Sequence, residues 1–253
     1  MFGRRTAIGA PPACCTFAAV DIAAILGEAW SLYTRFFVRF VVVAGVVFLA
    51  LGAVTAIVES ATNEGNGSVA GSLFALAVSI VGYFWIQGVL VVLTADVRDG
   101  VADHSFQELF QRVRPKLGAL ILAGLLASIG IVIGFILLIV PGLYLLTRWS
   151  LIAPALVIED LSAGESFGRS HHLVRGNAWP VFGLLVLFVV INIVVGGAIV
   201  GAAGSISGGL VSSWIASAAA NTLITPFIAI ATTLVYFRLA GGAQPRGLAT
   251  DAF

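Results

Sequence analysis

One uncharged apolar run constrains this chain more than any other feature. Residues 40–58 read FVVVAGVVFLALGAVTAIV and contain no charged side chain. A helix of that length rises about 28 Å, close to the roughly 30 Å hydrocarbon core of a bilayer. Further apolar runs occupy 69–94, 117–140, 143–158, 178–200 and 214–240. Because backbone polar groups in lipid must bond within their own span, the sequence predicts an all-α membrane protein with six transmembrane helices.

The composition agrees with lipid as the solvent. Hydrophobic residues make up 60% of the chain and charged residues 10%, whereas a soluble domain carries about a quarter charged residues. The net charge of +1 gives no reason to expect a nucleic-acid partner. Residues 1–19 contain the adjacent Cys14 and Cys15 but no apolar signal core. They are predicted to form a disordered cytoplasmic tail before a membrane domain at 20–242, with a second tail at 243–253.

Three amphipathic helices are predicted between or before the spans. The first, within 20–37, places six apolar residues on one face: Ile22, Ile25, Leu26, Ala29, Tyr33 and Phe36. It is interpreted as an interfacial helix, the alternative being an extension of the first span. The second carries Phe106, Leu109, Phe110 and Val113. It begins with the capping-box pair Ser105 and Glu108, and Pro115 is expected to end it. Ser162 and Glu165 predict a third helix.

Glycine and proline predict where the spans pack closely or break. Gly130 and Gly134 have the spacing that permits close helix contact. Pro141 and Gly142 are expected to form the turn between the third and fourth spans. Pro226 is expected to kink the sixth span.

An amphipathic helix followed by two spans occurs three times along the chain. The repeated segments begin at Gly27, Gln107 and Gly164, and each has a glutamate followed two positions later by an aromatic residue. The order of elements therefore predicts three repeats of amphipathic helix plus helical hairpin.

Positive charge is distributed very unequally about the predicted spans. Of the 13 lysines and arginines, 12 fall on one side and none falls in the opposite loops 59–68, 140–142 and 201–213. The side rich in lysine and arginine is typically cytoplasmic. The sequence thus predicts a multi-pass protein of the cell (inner or plasma) membrane with both termini in the cytoplasm.

A string in the second half resembles a known family. Arg148-Trp149-Ser150 is followed by Pro154, by Glu159 and by a helix ending in Leu173-Val174-Arg175-Gly176-Asn177. With Leu234-Val235-Tyr236-Phe237-Arg238, this pattern is similar to the glycerophosphoryl diester phosphodiesterase membrane-domain family, over residues 20–242. The resemblance implies the membrane fold. It implies no phosphodiesterase activity, because this chain has no segment matching the catalytic domain, and His171 and His172 stand near the usual tryptophan.

Of the 13 lysines and arginines, Arg148 is the one that does not belong to the basic side, and it is the only one inside an apolar span. It lies seven residues from Pro141, or roughly 10 Å at helical rise. Cations at such depth usually face a bundle interior or water. Three interpretations stay open. The favoured one is a structural pair with an acid such as Glu59, and the others are a site for an anion or lipid headgroup and outward snorkelling.

The remaining polar candidates fall into two sets. Intramembrane groups that could join Arg148 at a polar site are Glu59, Gln87, Asn192 and Asn221, with interhelical hydrogen bonds as the simpler interpretation. Candidate headgroup contacts are Arg112, Arg114, Lys116, Arg169 and Arg175. Glu159 and Asp160 are expected to contact a helix end or Arg169. Adjacent His171 and His172 point in different directions on a helix and cannot chelate one ion unaided.

No phosphate-binding loop, HExxH or GxSxG motif is present, so no catalytic, cofactor or metal site is predicted. The primary hypothesis is a non-enzymatic scaffold or envelope and lipid-homeostasis factor. Its partners would be membrane lipids, including anionic ones, other membrane proteins or further copies of itself. Alternatives are a permease for a lipid or small amphiphile, and a membrane regulator of a separately encoded phosphodiesterase.

Overall fold

The computed structural model describes residues 21–63, 69–98, 105–206 and 210–241, and every regular element there is helical. The α-helices are α1 Ile22–Arg35, α2 Phe37–Asn63, α3 Val69–Val97, α4 Phe106–Val113, α5 Leu117–Leu137, α6 Ile139–Arg148, α7 Ile152–Glu159, α8 Ala163–Val174, α9 Ala178–Ile191, α10 Gly197–Ile206 and α11 Leu210–Leu239. The tails predicted at 1–19 and 243–253 lie outside the described residues.

Within the described residues, six segments are long and apolar enough to cross a membrane. They are Phe37–Val54, Leu73–Val97, Phe106–Leu137, Ile139–Glu159, Ala178–Ser205 and Trp214–Leu239. This confirms the predicted all-α fold with six transmembrane helices. The predicted order of amphipathic helix and two spans is also present three times, beginning at α1, α4 and α8.

Side-chain caps fix the starts of the amphipathic helices. Both predicted capping boxes are present. The backbone N–H of Ser105 donates to Glu108 Oε2 at 2.7 Å, and that of Ser162 donates to Glu165 Oε2 at 3.0 Å. The Ser162 hydroxyl also donates to Glu165, which lowers the pKa of that carboxyl below its usual value. In α1, Asp21 Oδ1 accepts from the N–H groups of Ala23 and Ala24.

The amphipathic faces of α1 and α4 pack on protein. In α1, Ile25 and Ala29 are fully buried, and the Tyr33 hydroxyl donates to the carbonyl of Leu223 in α11 at 3.0 Å. The predicted apolar face of α1 is therefore correct, but α11 covers much of it. In α4, Leu109 and Val113 are fully buried, and the chain passes through a 3₁₀ turn containing Pro115 directly into α5.

The prediction that Pro141 and Gly142 form the turn between two spans is wrong. The break is at Leu138, which has extended backbone with φ −165° and ψ 150°. Pro141 and Gly142 lie in the first turn of α6. A helix tolerates proline there, because the N–H groups of the first turn have no intrahelical partner.

Small residues set the spacing between α5 and α6. A Cβ atom built on Gly134 would lie 3.0 Å from the Cα of Gly142, so the two backbones are in close contact. A Cβ atom on Gly130 would lie 2.5 Å from the Trp149 ring. The close contact predicted from the spacing of these glycines is confirmed.

Two of the predicted continuous spans contain interruptions. The span predicted at 143–158 is divided by Trp149–Leu151 into α6 and α7. Five residues, Asn192–Gly196, form a π-helical segment between α9 and α10. Such segments inside α-helices are rare and frequently accompany functional sites. Pro226, by contrast, lies inside the continuous helix α11, and its predicted kink stays a prediction.

Candidate functional site

The spans alternate in direction, so the cations that flank them on the side rich in lysine and arginine belong to one end of the bundle, which we call the basic end. Its described members are Arg35, Arg39, Arg98, Arg112, Arg114, Lys116, Arg169, Arg175 and Arg238. The Arg98 guanidinium lies 4.3 Å from the centroid of the Phe237 ring, and Arg238 forms a 2.9 Å ion pair with Glu28. Contacts between helices distant in sequence thus gather the charges that the sequence placed on one side.

A half-buried ion pair joins α7, α8 and α11 at the basic end. Arg169 Nε donates to both carboxylate oxygens of Glu159, at 2.8 and 2.9 Å, and the fully buried Tyr236 donates its hydroxyl to Glu159 Oε1. The Glu159 carboxylate raises the pKa of the Arg169 guanidinium above its usual value. The predicted contact between Glu159 and Arg169 is present, so the role of Glu159 in the structure is to hold three helices together.

The five candidate headgroup contacts divide by environment. Lys116 forms a 3.0 Å ion pair with Asp160 and donates to the carbonyl of Val157, and Arg169 is bound by Glu159. Arg112 is partly buried, whereas Arg114 and Arg175 are exposed. Of this set, Arg114 and Arg175 are therefore the most accessible to lipid headgroups.

A serine of α8 satisfies backbone groups freed by the break between α6 and α7. The buried Ser170 hydroxyl donates to the carbonyl of Arg148 at 2.7 Å and accepts from the N–H of Leu151 at 3.2 Å. Unpaired backbone groups at helix ends are costly when buried. Ser170 therefore holds the break open and fixes α8 against it.

Arg148 is the last residue of α6 and faces the end of α8. Its Nη1 donates to the carbonyl of His171 at 3.2 Å, and its guanidinium carbon lies 5.1 Å from the centroid of the Tyr144 ring. Its Nε is buried without a hydrogen-bond partner. Among the described residues no carboxylate lies within 4.0 Å of it. The favoured partner, Glu59, lies outside the residues whose side chains are described.

Arg148 borders an open cavity of about 500 Å³, which we call the α6–α9 groove. Its lining residues are Val140, Leu143, Tyr144, Thr147, Arg148, Ala178, Trp179 and Phe182. The Thr147 hydroxyl donates to the carbonyl of Leu143 at 2.8 Å, so it is already satisfied within α6. The groove therefore combines an apolar wall with one guanidinium, beside the start of α9.

Gln87, Asn192 and Asn221, the predicted intramembrane polar residues whose side chains are described, do not line this groove. Asn221 is exposed and donates to the carbonyl of Ser217 in its own helix at 2.9 Å. Its predicted interhelical hydrogen bond is therefore replaced by a bond within α11. Asn192 is exposed in the π-helical segment, and Gln87 is partly buried in α3. These residues are absent from the lining of the α6–α9 groove, so the predicted common site with Arg148 is not formed there.

Sequence reasoning missed three residues of these sites. Ser170 and Tyr236 form hydrogen bonds to residues 22 and 77 positions away in the sequence. Contacts over such separations produce no local sequence pattern from which they could be predicted. Trp179, 82% exposed at the start of α9, is an aromatic residue of the kind enriched at membrane interfaces. Its position shortly after the basic end of α8, at the start of a predicted span, could have identified it as an interfacial residue.

The helical fold and its six apolar spans define a multi-pass membrane protein. Residues 114–239 match the family described as Domain of unknown function (DUF7847). The match runs from the turn before α5 to the end of α11, so it includes the α6–α9 groove and the Glu159–Arg169–Tyr236 contact. No curated protein and no solved structure matches the chain. The resemblance to the glycerophosphoryl diester phosphodiesterase membrane-domain family stays a prediction.

Proposed function

We propose that this protein is a non-enzymatic scaffold of the cell membrane that organises anionic lipid in the cytoplasmic leaflet. Both termini lie in the cytoplasm in this proposal. The observation that carries it is the division of charge, with 12 of 13 lysines and arginines on one side and none in the three opposite loops. Each cation near an anionic leaflet contributes about 1 kcal/mol of attraction.

The arrangement of the basic end supports a lipid-facing role. Arg114 and Arg175 are exposed, whereas Lys116 and Arg169 are bound to carboxylates of the same chain. The paired residues stabilise the fold, and the exposed ones are available to phosphate oxygens. Lipid selectivity should accordingly depend on the exposed arginines more than on the paired ones.

Spin-labelled lipids in vesicles test this proposal. The protein should immobilise phosphatidylglycerol more than phosphatidylcholine, and the preference should fall as salt rises. Replacing both Arg114 and Arg175 with glutamine should reduce the preference by up to about thirtyfold, since the two charges together contribute about 2 kcal/mol. The matched control, Lys116→Gln with Asp160→Asn, leaves the net charge unchanged and should leave the preference unchanged. Equal immobilisation of the two lipids by the wild-type protein would contradict the proposal.

A permease for a lipid or small amphiphile is the second candidate function. The α6–α9 groove and the interrupted helices on both sides of it favour this candidate, because irregular backbone at membrane depth commonly lines cavities. Transfer of a fluorescent phospholipid between the leaflets of proteoliposomes separates the two. A permease accelerates that transfer, and a scaffold leaves it at the rate of protein-free vesicles.

A further inference from the structure

We propose that the α6–α9 groove binds one anionic phospholipid, with its phosphate on Arg148 and an acyl chain between α6 and α9. The inference rests on the proposed function in one respect, that the basic end meets the anionic leaflet. In addition to the general attraction between the basic end and anionic lipids, it assigns one lipid to a defined site.

The groove carries a positive charge that no described carboxylate neutralises. Arg148 is the only cation lining the groove, and it has no carboxylate within 4.0 Å among the described residues. A guanidinium carries five N–H donors, and here one nitrogen donates to the carbonyl of His171 while Nε is buried and unpartnered. Arg148 is partly exposed to the groove and no described carboxylate neutralises its charge, so the site is complementary to an anion.

Contacts within the protein already hold the Arg148 guanidinium in position. The His171 carbonyl and the Tyr144 ring hold the guanidinium from two directions, and the Ser170 hydroxyl fixes the backbone of the same residue. A side chain already held in place loses less conformational freedom when a ligand binds. Arginine also presents paired donors that match the oxygens of a phosphate.

The shape of the groove selects a lipid over a free anion. From Arg148 the lining extends along α6 to Val140, about 12 Å at helical rise, through apolar and aromatic side chains. A volume of about 500 Å³ falls within the range of small-molecule sites, roughly 300–1,000 Å³. A free phosphate would leave this wall unused, whereas an acyl chain would cover it. The exposed Trp179 and Tyr144 are placed as interfacial aromatic residues beside a headgroup.

The lining also favours an anionic lipid over a zwitterionic one. Its described residues include no carboxylate that could contact a choline group, so phosphatidylglycerol should bind more tightly than phosphatidylcholine. Native mass spectrometry of the purified full-length protein, titrated with dioleoyl phosphatidylglycerol, counts lipids bound at the tightest site. Dioleoyl phosphatidylcholine and inorganic phosphate serve as the comparison ligands.

Arg148→Met should weaken the tightest phosphatidylglycerol site at least about tenfold, the effect of losing a charge-assisted hydrogen bond. Arg148→Lys should retain part of the binding, because lysine contacts phosphate as a point charge. Ala178→Phe should fill the groove and weaken binding while Arg148 stays in place. Arg35→Met removes the same charge from the exposed end of α1, outside the groove, and should leave the tight site intact.

Equal effects of Arg148→Met and Arg35→Met would overturn the inference. So would full displacement by inorganic phosphate with no dependence on acyl-chain length, which would identify a free-anion site. If Arg148→Met fails to fold, phosphatidylglycerol binding by Ala178→Phe is compared with that by Arg35→Met. Equal effects of these two variants on the tight site would likewise overturn the inference. If the wild-type protein has no tight phosphatidylglycerol site but retains its lipid selectivity in vesicles, this inference is refuted and the proposed function stands.

Discussion

Gly134→Leu is expected to lower the stability of the folded protein in detergent by about 3 kcal/mol, near the upper end of typical overpacking penalties. A Cβ atom at this position would already lie 3.0 and 3.1 Å from the backbone of Gly142, and a leucine adds three further carbons. Backbone atoms of a packed helix cannot move aside as the end of a side chain can. The substitution must therefore separate α5 from α6.

Gly118→Leu provides a control in the same helix. Nothing lies within 4 Å of a Cβ atom built at Gly118, which is exposed. This variant gains helix propensity without a clash and should melt at or above the wild-type temperature. Thermal melts in one detergent compare the two variants. A Gly134→Leu protein with the melting temperature of the wild-type protein would show that α5 and α6 are not in close contact.

Glu159→Leu is expected to destabilise the protein by about 2 kcal/mol. Breaking a buried ion pair typically costs 3–5 kcal/mol, and the value is reduced here because water screens partly exposed groups. The side chains of Arg169 and Glu159 are 33% and 25% exposed. The substitution leaves the Arg169 guanidinium without its carboxylate and the buried Tyr236 hydroxyl without its acceptor.

Adding Arg169→Met to Glu159→Leu should recover much of the lost stability, because removing both partners leaves no stranded charge. Asp160→Asn is the matched control one residue away. The Asp160 side chain is 70% exposed, and asparagine accepts its left-handed backbone at φ 58°, so the change should be within about 0.5 kcal/mol. A double variant that is less stable than Glu159→Leu alone would contradict this account of the ion pair.

The spans and the caps were predictable because their causes are local. Length and apolar composition decide whether a helix such as α2 can cross a bilayer, and both can be counted in residues 40–58. Ser105 with Glu108, and Ser162 with Glu165, satisfy helix-start N–H groups within a single turn. Gly134 was also a usable signal, since close contact needs a residue without a side chain.

The breaks in the spans were not predictable from such local rules. The turn was predicted at Pro141 and Gly142 because proline and glycine are common in turns, but the first turn of a helix also accepts both residues. The break at Trp149–Leu151 has no proline or glycine of its own. It persists because Ser170, from α8, satisfies the backbone on both sides of it, and that contact exists only in the folded chain.

The site was predicted in part. Arg148 stood out as the only cation within an apolar span, and the headgroup interpretation was one of those left open. Its surroundings depend on tertiary structure. The His171 carbonyl comes from a helix that runs back along α7, and the far wall of the groove comes from Ala178 and Trp179. No spacing in the sequence relates these residues to Arg148.

The orientation of the six spans in intact cells tests whether the basic end lies in the cytoplasm. Single cysteines at Asn66 and at Gln111, in a chain lacking Cys14 and Cys15, are challenged with a membrane-impermeant thiol reagent. The charge distribution predicts labelling at Asn66, between α2 and α3, and protection at Gln111 in α4 until the cells are opened. Labelling at Gln111 with protection at Asn66 would place the basic end outside the cell and contradict the proposed topology.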